Sequence, residues 1–274
     1  MAARKPKKTF AEKITFPSKE PAIQHWMVLG LDPSLSRTGY AFSLDGEWIE
    51  IGSLKPDDSS LPIWVRSKMI AGTITERLYW AIQPTLKEAP KELESGGYGY
   101  GLLVCMEVPT PRNDFLNIVS KTIHADLLPR LPSLFSSVHV LQINAATMRS
   151  NMGLTATGDN KWENVRKSQE FADPKIYPGI DSDSCDAILF SKYGHMIADL
   201  LSPEVLIGES PMLLSLCDNT PVVKGKGKRA KIVTKGILHN PAYWYTYTPT
   251  EYSISLKDAT IPAKKRLQKL TITI

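Results

Sequence analysis

Trp26-Met27-Val28-Leu29-Gly30-Leu31-Asp32-Pro33-Ser34 is the stretch on which the fold turns. Its apolar run suits a buried strand, and it ends abruptly in an acid followed by proline. Proline disfavours further sheet pairing and begins a turn. Thr38 to Leu44 and Trp48 to Leu54 read as two more strands, joined by the turn formers Asp45-Gly46. The three segments predict a β-meander.

Downstream the pattern changes to alternation. Residues 61–83 carry Val65, Met69, Ile70, Ile74, Leu78 and Ile82 at helical spacing, and Pro84 should end or kink that helix. Leu102 to Val108 reads as a buried strand with Glu107 near its far end. Phe115 to Leu131 can form a helix and Val138 to Ile143 a short strand. Lys161 to Ala172 and Ser184 to Leu201 complete the series as helices. The order β-β-β-α-β-α-β-α-α predicts an α/β domain with a mixed five-stranded sheet covered on both faces. Its expected span is 23–202, after a flexible basic arm (1–22) and before an irregular or small β extension (203–274).

Composition fits a globular protein, 42% hydrophobic and 22% charged. The basic, polar first twenty residues hold no signal-peptide core, and no apolar stretch is long enough for a membrane span. A soluble intracellular protein, not secreted and without a membrane partner, is expected. Cys105, Cys185 and Cys217 lie far apart with no C-x-x-C pair, which argues against a disulfide framework or a zinc site. The five histidines show no metal-ligand spacing.

The net charge of +5 is unevenly spread. Residues 1–20 carry +4, residues 220–274 carry +9, and the middle is therefore −8. Two basic ends on an acidic body suggest arms reaching for a polyanion. Lys224, Lys226, Lys228, Arg229 and Lys231 form a cluster with glycine spacers, suited to binding phosphates. Tyr243, Trp244, Tyr245 and Tyr247 could stack on bases, although packing within the extension explains them more simply.

Four acids stand out. Asp32 ends the first strand, where a plain Asp-Pro turn is the competing reading. Glu107 ends an otherwise apolar strand, where a charge is costly to bury without a cation or partner. Asp183 and Asp186, three apart at the start of a late helix, share a face and can grip one ion. Asp183 could equally be an N-cap, with Asp186 favoured by the helix dipole. Asp181 reads as a loop or helix-start residue. Several carboxylates converging on metal ions are what two-metal phosphodiester hydrolysis needs.

These residues resemble a known family. Val28 to Ala41, with its Asp32-Pro33 and Thr38-Gly39, is similar to the first strand and turn of RuvC-type Holliday-junction resolvases. Cys105-Met106-Glu107 matches that family's second acid, and Asp183-Ser184-Cys185-Asp186-Ala187-Ile188 its D-x-x-D-A-apolar helix start. The resemblance covers roughly residues 26–201 and implies a ribonuclease H-like fold. It further implies two Mg²⁺ ions (Mn²⁺ as a substitute) on Asp32, Glu107, Asp183 and Asp186. Gly158-Asp159-Asn160-Lys161 resembles the family's Gly-rich turn and lysine, so Lys161 is expected to stabilise charge on the phosphate. Arg112 and Arg149 are candidate DNA contacts. The family's aromatic soon after the second acid has no counterpart here, since Val108-Pro109-Thr110-Pro111 intervenes and Phe115 comes late.

The function so implied is a structure-selective endonuclease that resolves four-way junctions by paired nicks, as a homodimer with two active sites. Nucleases for flaps or forks would use the same four acids, and a non-catalytic junction binder would keep the fold alone. An actin-like ATPase or sugar kinase also opens with an Asp-ended strand and meander. Its second Gly-rich phosphate loop is absent from this sequence.

Overall fold

The structure, a computed structural model, describes residues 23, 25–34, 36–56, 58–88, 99–108, 121–123, 125–131, 135, 137–154, 161–178, 180–201, 215–225, 230–239 and 244–247. At 85–88, 130, 161–164, 224, 231, 234, 239 and 245–247 it describes the backbone alone.

The meander is present as β1 (His25–Asp32), β2 (Thr38–Leu44) and β3 (Glu47–Leu54). Asp45 and Gly46 both have positive φ, 49° and 92°, the pairing that a tight β2–β3 hairpin demands. Helix α1 (Ile63–Glu88) leads to β4 (Tyr100–Glu107), and later β5 (Ser137–Ile143). Three helices follow: α2 (Ala145–Asn151), α3 (Lys161–Phe171) and α4 (Ser182–Leu201). The last strands are β6 (Pro221–Lys224), β7 (Lys231–Thr234) and β8 (Trp244–Tyr247).

The main sheet has the order β3-β2-β1-β4-β5-β8, with β1, β4 and β5 parallel and β2, β3 and β8 antiparallel to their neighbours. Period-two geometry sends alternate β1 residues to opposite faces. Met27, Leu29 and Leu31 pack with Ile70, Ile74 and Leu78 of α1. Trp26 and Val28 pack with Leu189, Phe190 and Tyr193 of α4. Both faces are buried, which is why the central strands are nearly continuous apolar runs. The result is a mixed sheet with helices on both faces.

Several expectations need correction. The sheet has six strands rather than five, because Trp244–Tyr247 joins β5 as β8. His139 of β5 stacks on Trp244, rings 5.3 Å apart, and meets Trp26 on β1, so the aromatic cluster fastens an edge strand. Pro84 does not end α1. The carbonyl its missing N–H would have bonded belongs to Trp80, on the exposed side of the helix, where water can replace the bond. The short helix α2 was not foreseen, and α4 starts at Ser182 rather than Ser184. Of the helix expected from Phe115 to Leu131, residues 115–120 lie outside the described residues. Residues 121–123 and 125–127 are helical, and Leu128–Arg130 is a 3₁₀ turn. The arm 1–22, all residues beyond 247, Arg112, Tyr243, Gly158–Asn160, Lys226, Lys228 and Arg229 also lie outside them. No described helix is long and apolar enough to cross a membrane.

A polar contact between β2 and α4 makes stability pH-dependent. Ser43 Oγ lies 2.7 Å from both Ser191 Oγ and His195 Nε2, all buried. Burial, with Lys192 nearby, pushes His195 down from 6.5 to about 4. The folded state therefore takes up this proton later than the unfolded chain, and stability falls as pH drops through that window. Urea unfolding should show a loss of about 2 kcal/mol between roughly pH 6.5 and 5 from this group as an upper figure. His195→Gln should flatten that slope. His139, held near 4 by burial, adds the same trend.

Candidate functional site

β1 and β4 are parallel neighbours with Leu31 opposite Met106, so Asp32 and Glu107 stand side by side at the carboxyl ends of their strands. Leu31 and Met106 face α1. By alternation, Asp32 and Glu107 turn to the face covered by α4. In open α/β sheets this end of the strands is where ligands bind.

Two glycines bring α4 close enough to matter. A Cβ on Gly30 would lie 2.1 Å from the Ala187 carbonyl oxygen and 2.5 Å from the Ser191 nitrogen. On Gly39 it would lie 2.0 Å from the Asp183 carbonyl oxygen. The first turns of α4 rest directly on β1 and β2, and this proximity puts Asp186 in the field of Asp32 and Glu107. Burial, then the charges of Asp186 and Glu107, push the Asp32 carboxyl well above its usual range. It shares a hydrogen bond with Glu107. Burial also raises Glu107, against the pull of that bond, of the Ala145 backbone N–H and of Arg149.

Arg149, near the end of α2, donates from Nη2 to Asp186 Oδ2 at 2.5 Å. Its side chain is 15% exposed and that of Asp186 26%. One guanidinium thus serves three carboxylates. Asp186 Oδ1 is buried and has no hydrogen-bond partner among the described residues. An excess of negative charge, oxygen donors only, and one orphaned carboxylate oxygen are chemistry that a small divalent cation would satisfy. Asp32, Glu107 and Asp186 are the groups that could hold it. As placed, no three His, Cys, Asp or Glu side chains among the described residues form a ready-made metal cluster.

Asp183 does not join them. Its carboxylate lies 3.6 Å from Arg37 Nε, so the expected grip of both helix acids on one ion is not present in this arrangement. Nor is Asp183 the N-cap. Asp181 is: its Oδ1 accepts from the backbone N–H groups of Asp183 (3.1 Å) and Ser184 (2.9 Å), while Ser184 Oγ accepts from Asp181 N–H at 2.8 Å. This reciprocal pair is a capping box. Asp181 Oδ2 accepts from Arg37 Nη1 at 2.8 Å and Ser53 Oγ at 2.6 Å. Burial opposes its charge, but Ser53, the Ser184 N–H and Arg37 outweigh it and hold the carboxyl below its usual range. Asp181→Ala should cost about 2 kcal/mol, a lost cap plus a lost charge-assisted bond, measured by urea unfolding at neutral pH.

Arg37 was missed, although it stands inside the quoted motif. Its partners, Asp181 and Asp183, are over 140 residues away in the chain and no local pattern reveals them. Asn144 caps α2 by accepting from Ala146 N–H at 2.9 Å, which sets the Ala145 N–H on Glu107. Lys161 is the first residue of α3, with its backbone alone described, as are Lys224 at the end of β6 and Lys231 at the start of β7.

No protein-family model matches the chain, and no curated protein matches it. Among solved structures it is similar to Thermus thermophilus RuvC in complex with a Holliday junction substrate, at 14% identity and a TM-score of 0.42, over 61% of this chain and 91% of that one. It is also similar to a second Thermus thermophilus RuvC structure, at 15% identity and a TM-score of 0.42, over 61% and 92%. At such identities and TM-scores the similarity is too loose to transfer residue roles or a substrate.

Proposed function

We propose that this chain is a divalent-metal-dependent nuclease that cuts branched DNA, with the four-way junction as its substrate. The observation that carries the nuclease reading is the meeting of Asp32, Glu107 and Asp186 at the carboxyl ends of β1 and β4. They come from three distant segments, and folding alone gains nothing from crowding them. The junction as substrate is supported by the resemblance of the β1–β2, β4 and α4 motifs to resolvases.

In this reading Asp32, Glu107 and Asp186 hold two Mg²⁺ ions, with Asp183 completing the set once it leaves Arg37. Divalent ions held by these carboxylates would supply Lewis-acid chemistry, activation of a water and neutralisation of charge on the leaving oxygen. Arg149 neutralises Asp186 in their absence, and in this reading it contacts the phosphate beside it. Lys161 stabilises charge on the phosphate. Arg112, Arg149 and the Lys224–Lys231 cluster bind the DNA backbone. Paired, symmetric cuts call for two active sites, hence a homodimer inside a DNA-containing compartment of the cell.

The test is a panel of end-labelled DNAs (mobile four-way junction, fork, flap, linear duplex) incubated with Mg²⁺ or with EDTA. Paired nicks on the junction, dependent on Mg²⁺, are expected. Preferred cutting of forks or flaps would replace the junction with another branch. Tight junction binding with no cutting in Mg²⁺ or Mn²⁺ would leave a binding protein.

A further inference from the structure

From Pro221 to Gly236 the chain holds six basic residues and no acid. β6 and β7 pair antiparallel as a separate two-stranded ribbon, with Val222 opposite Val233, Val223 opposite Ile232 and Lys224 opposite Lys231. The residues joining the strands include Lys226, Lys228 and Arg229.

Two features of this ribbon work against its own folding. Val223 and Ile232 are 68% and 77% exposed, directly across from each other, while Val222 and Val233 on the other face are half-buried. The backbone register sets Lys224 opposite Lys231, and like charges at opposed positions destabilise a strand pair. A lone two-stranded hairpin is marginal in water even without these costs.

The base of the ribbon is secured instead. Buried Asp218 accepts from Thr220 N–H at 2.9 Å and pairs with Lys235 Nζ at 3.1 Å. Lys235 N–H donates to the Thr220 carbonyl and Gly236 N–H to that of Asp218. Gly236 has no room for a Cβ, which would lie 2.4 Å from the Leu216 carbonyl oxygen. Leu216, Cys217 and Leu238 then anchor the segment in the core beneath α4. The ribbon is firmly mounted where it leaves the body, and beyond that its sequence is basic and Val223 and Ile232 present bare aliphatic surface.

We propose that the β6–β7 ribbon is a duplex-DNA-binding arm that lies in a groove, with Val223 and Ile232 against its wall and the lysines meeting phosphates. A polyanion relieves the Lys224–Lys231 repulsion, and sugar and thymine-methyl surface covers the aliphatic pair. The arm is distinct from the acidic site, and rests on the proposed DNA-directed function only for the identity of the polyanion.

The test is equilibrium binding of fluorescent duplex and four-way-junction DNA in EDTA at several salt concentrations. The full chain is compared with Lys224→Ser/Lys231→Ser and Val223→Ser/Ile232→Ser, each checked for an unchanged thermal midpoint. The lysine variant is expected to bind about tenfold more weakly at low salt, with its log–log salt slope reduced by about 2, roughly 0.9 for each phosphate no longer neutralised. The aliphatic variant should bind several-fold more weakly with the slope unchanged. Both variants matching the parent in affinity and slope would overturn the arm while leaving the nuclease reading intact. A parent that binds no DNA would sink both. A parent that sediments as a dimer and an aliphatic variant that sediments as a monomer, with DNA binding unchanged, would assign Val223 and Ile232 to a second copy and overturn the arm.

Discussion

Asp32→Asn should sharply reduce DNA cleavage and, in the same protein without metal, raise the unfolding temperature. The two effects have one cause. Asp32 is held at the end of β1 beside Glu107, in the field of Asp186, and burial with those charges drives its carboxyl well above the usual range. In the metal-free fold that carboxyl is a liability. Asparagine keeps its shape and can still donate to Glu107, but brings no charge. Relief of that repulsion is expected as a rise of a few degrees in a thermal melt with EDTA. Cleavage should fall on the order of 10³-fold, as when one preorganised electrostatic group is lost. A melt in which Asp32→Asn is destabilised by several degrees would make Asp32 a structural residue. A variant that still nicks DNA would remove it from the site.

Gly30→Ala is expected to be among the most damaging single-methyl additions at the described residues. The added Cβ meets the backbone of α4 at Ala187 and Ser191, and backbone cannot rotate away. Helix α4 must lift from β1, carrying Asp183 and Asp186 with it. Overpacking at a helix–sheet contact costs about 3 kcal/mol. The thermal midpoint should fall by about 6–12 °C, and nicking should be lost even where the protein remains folded. Gly72→Ala supplies the contrast. It lies within α1, where an added Cβ meets nothing within 4 Å. Helix propensity alone should stabilise that variant by up to about 1 kcal/mol. Equal behaviour of the two variants would contradict the close seating of α4.

The close seating of α4 also separates what is legible in the chain from what is not. Asp32 and Glu107 were legible because a charge that ends a buried strand is expensive and conspicuous. Gly30 and Gly39 were legible as part of a motif, but their purpose, admitting α4, requires the fold. The difference between Asp183 and Asp186 was not legible. Spacing by three puts both on one side of a helix, yet Arg149 from α2 draws one and Arg37 from the β1–β2 turn draws the other. Both arginines are far away in sequence. That α1 runs on past Pro84 was not legible, because the local rule is steric and electrostatic at once and exposure to water removes half of its force. β8 was obscured by its aromatics, which read as packing within the small extension rather than as a strand of the main sheet. Their alternation with threonine is also a strand pattern, and His139 and Trp26 supply the buried partners.

The central claim is that the carboxylates gathered by β1, β4 and α4 hold divalent cations. The most direct measurement is a calorimetric titration of Mn²⁺ into the metal-free protein, beside Asp32→Asn and Asp186→Asn. The account predicts saturable binding to the parent that is lost or weakened at least about tenfold in each variant, a difference of about 1.4 kcal/mol. Equal binding to all three proteins, or none to the parent at millimolar Mn²⁺, would contradict it.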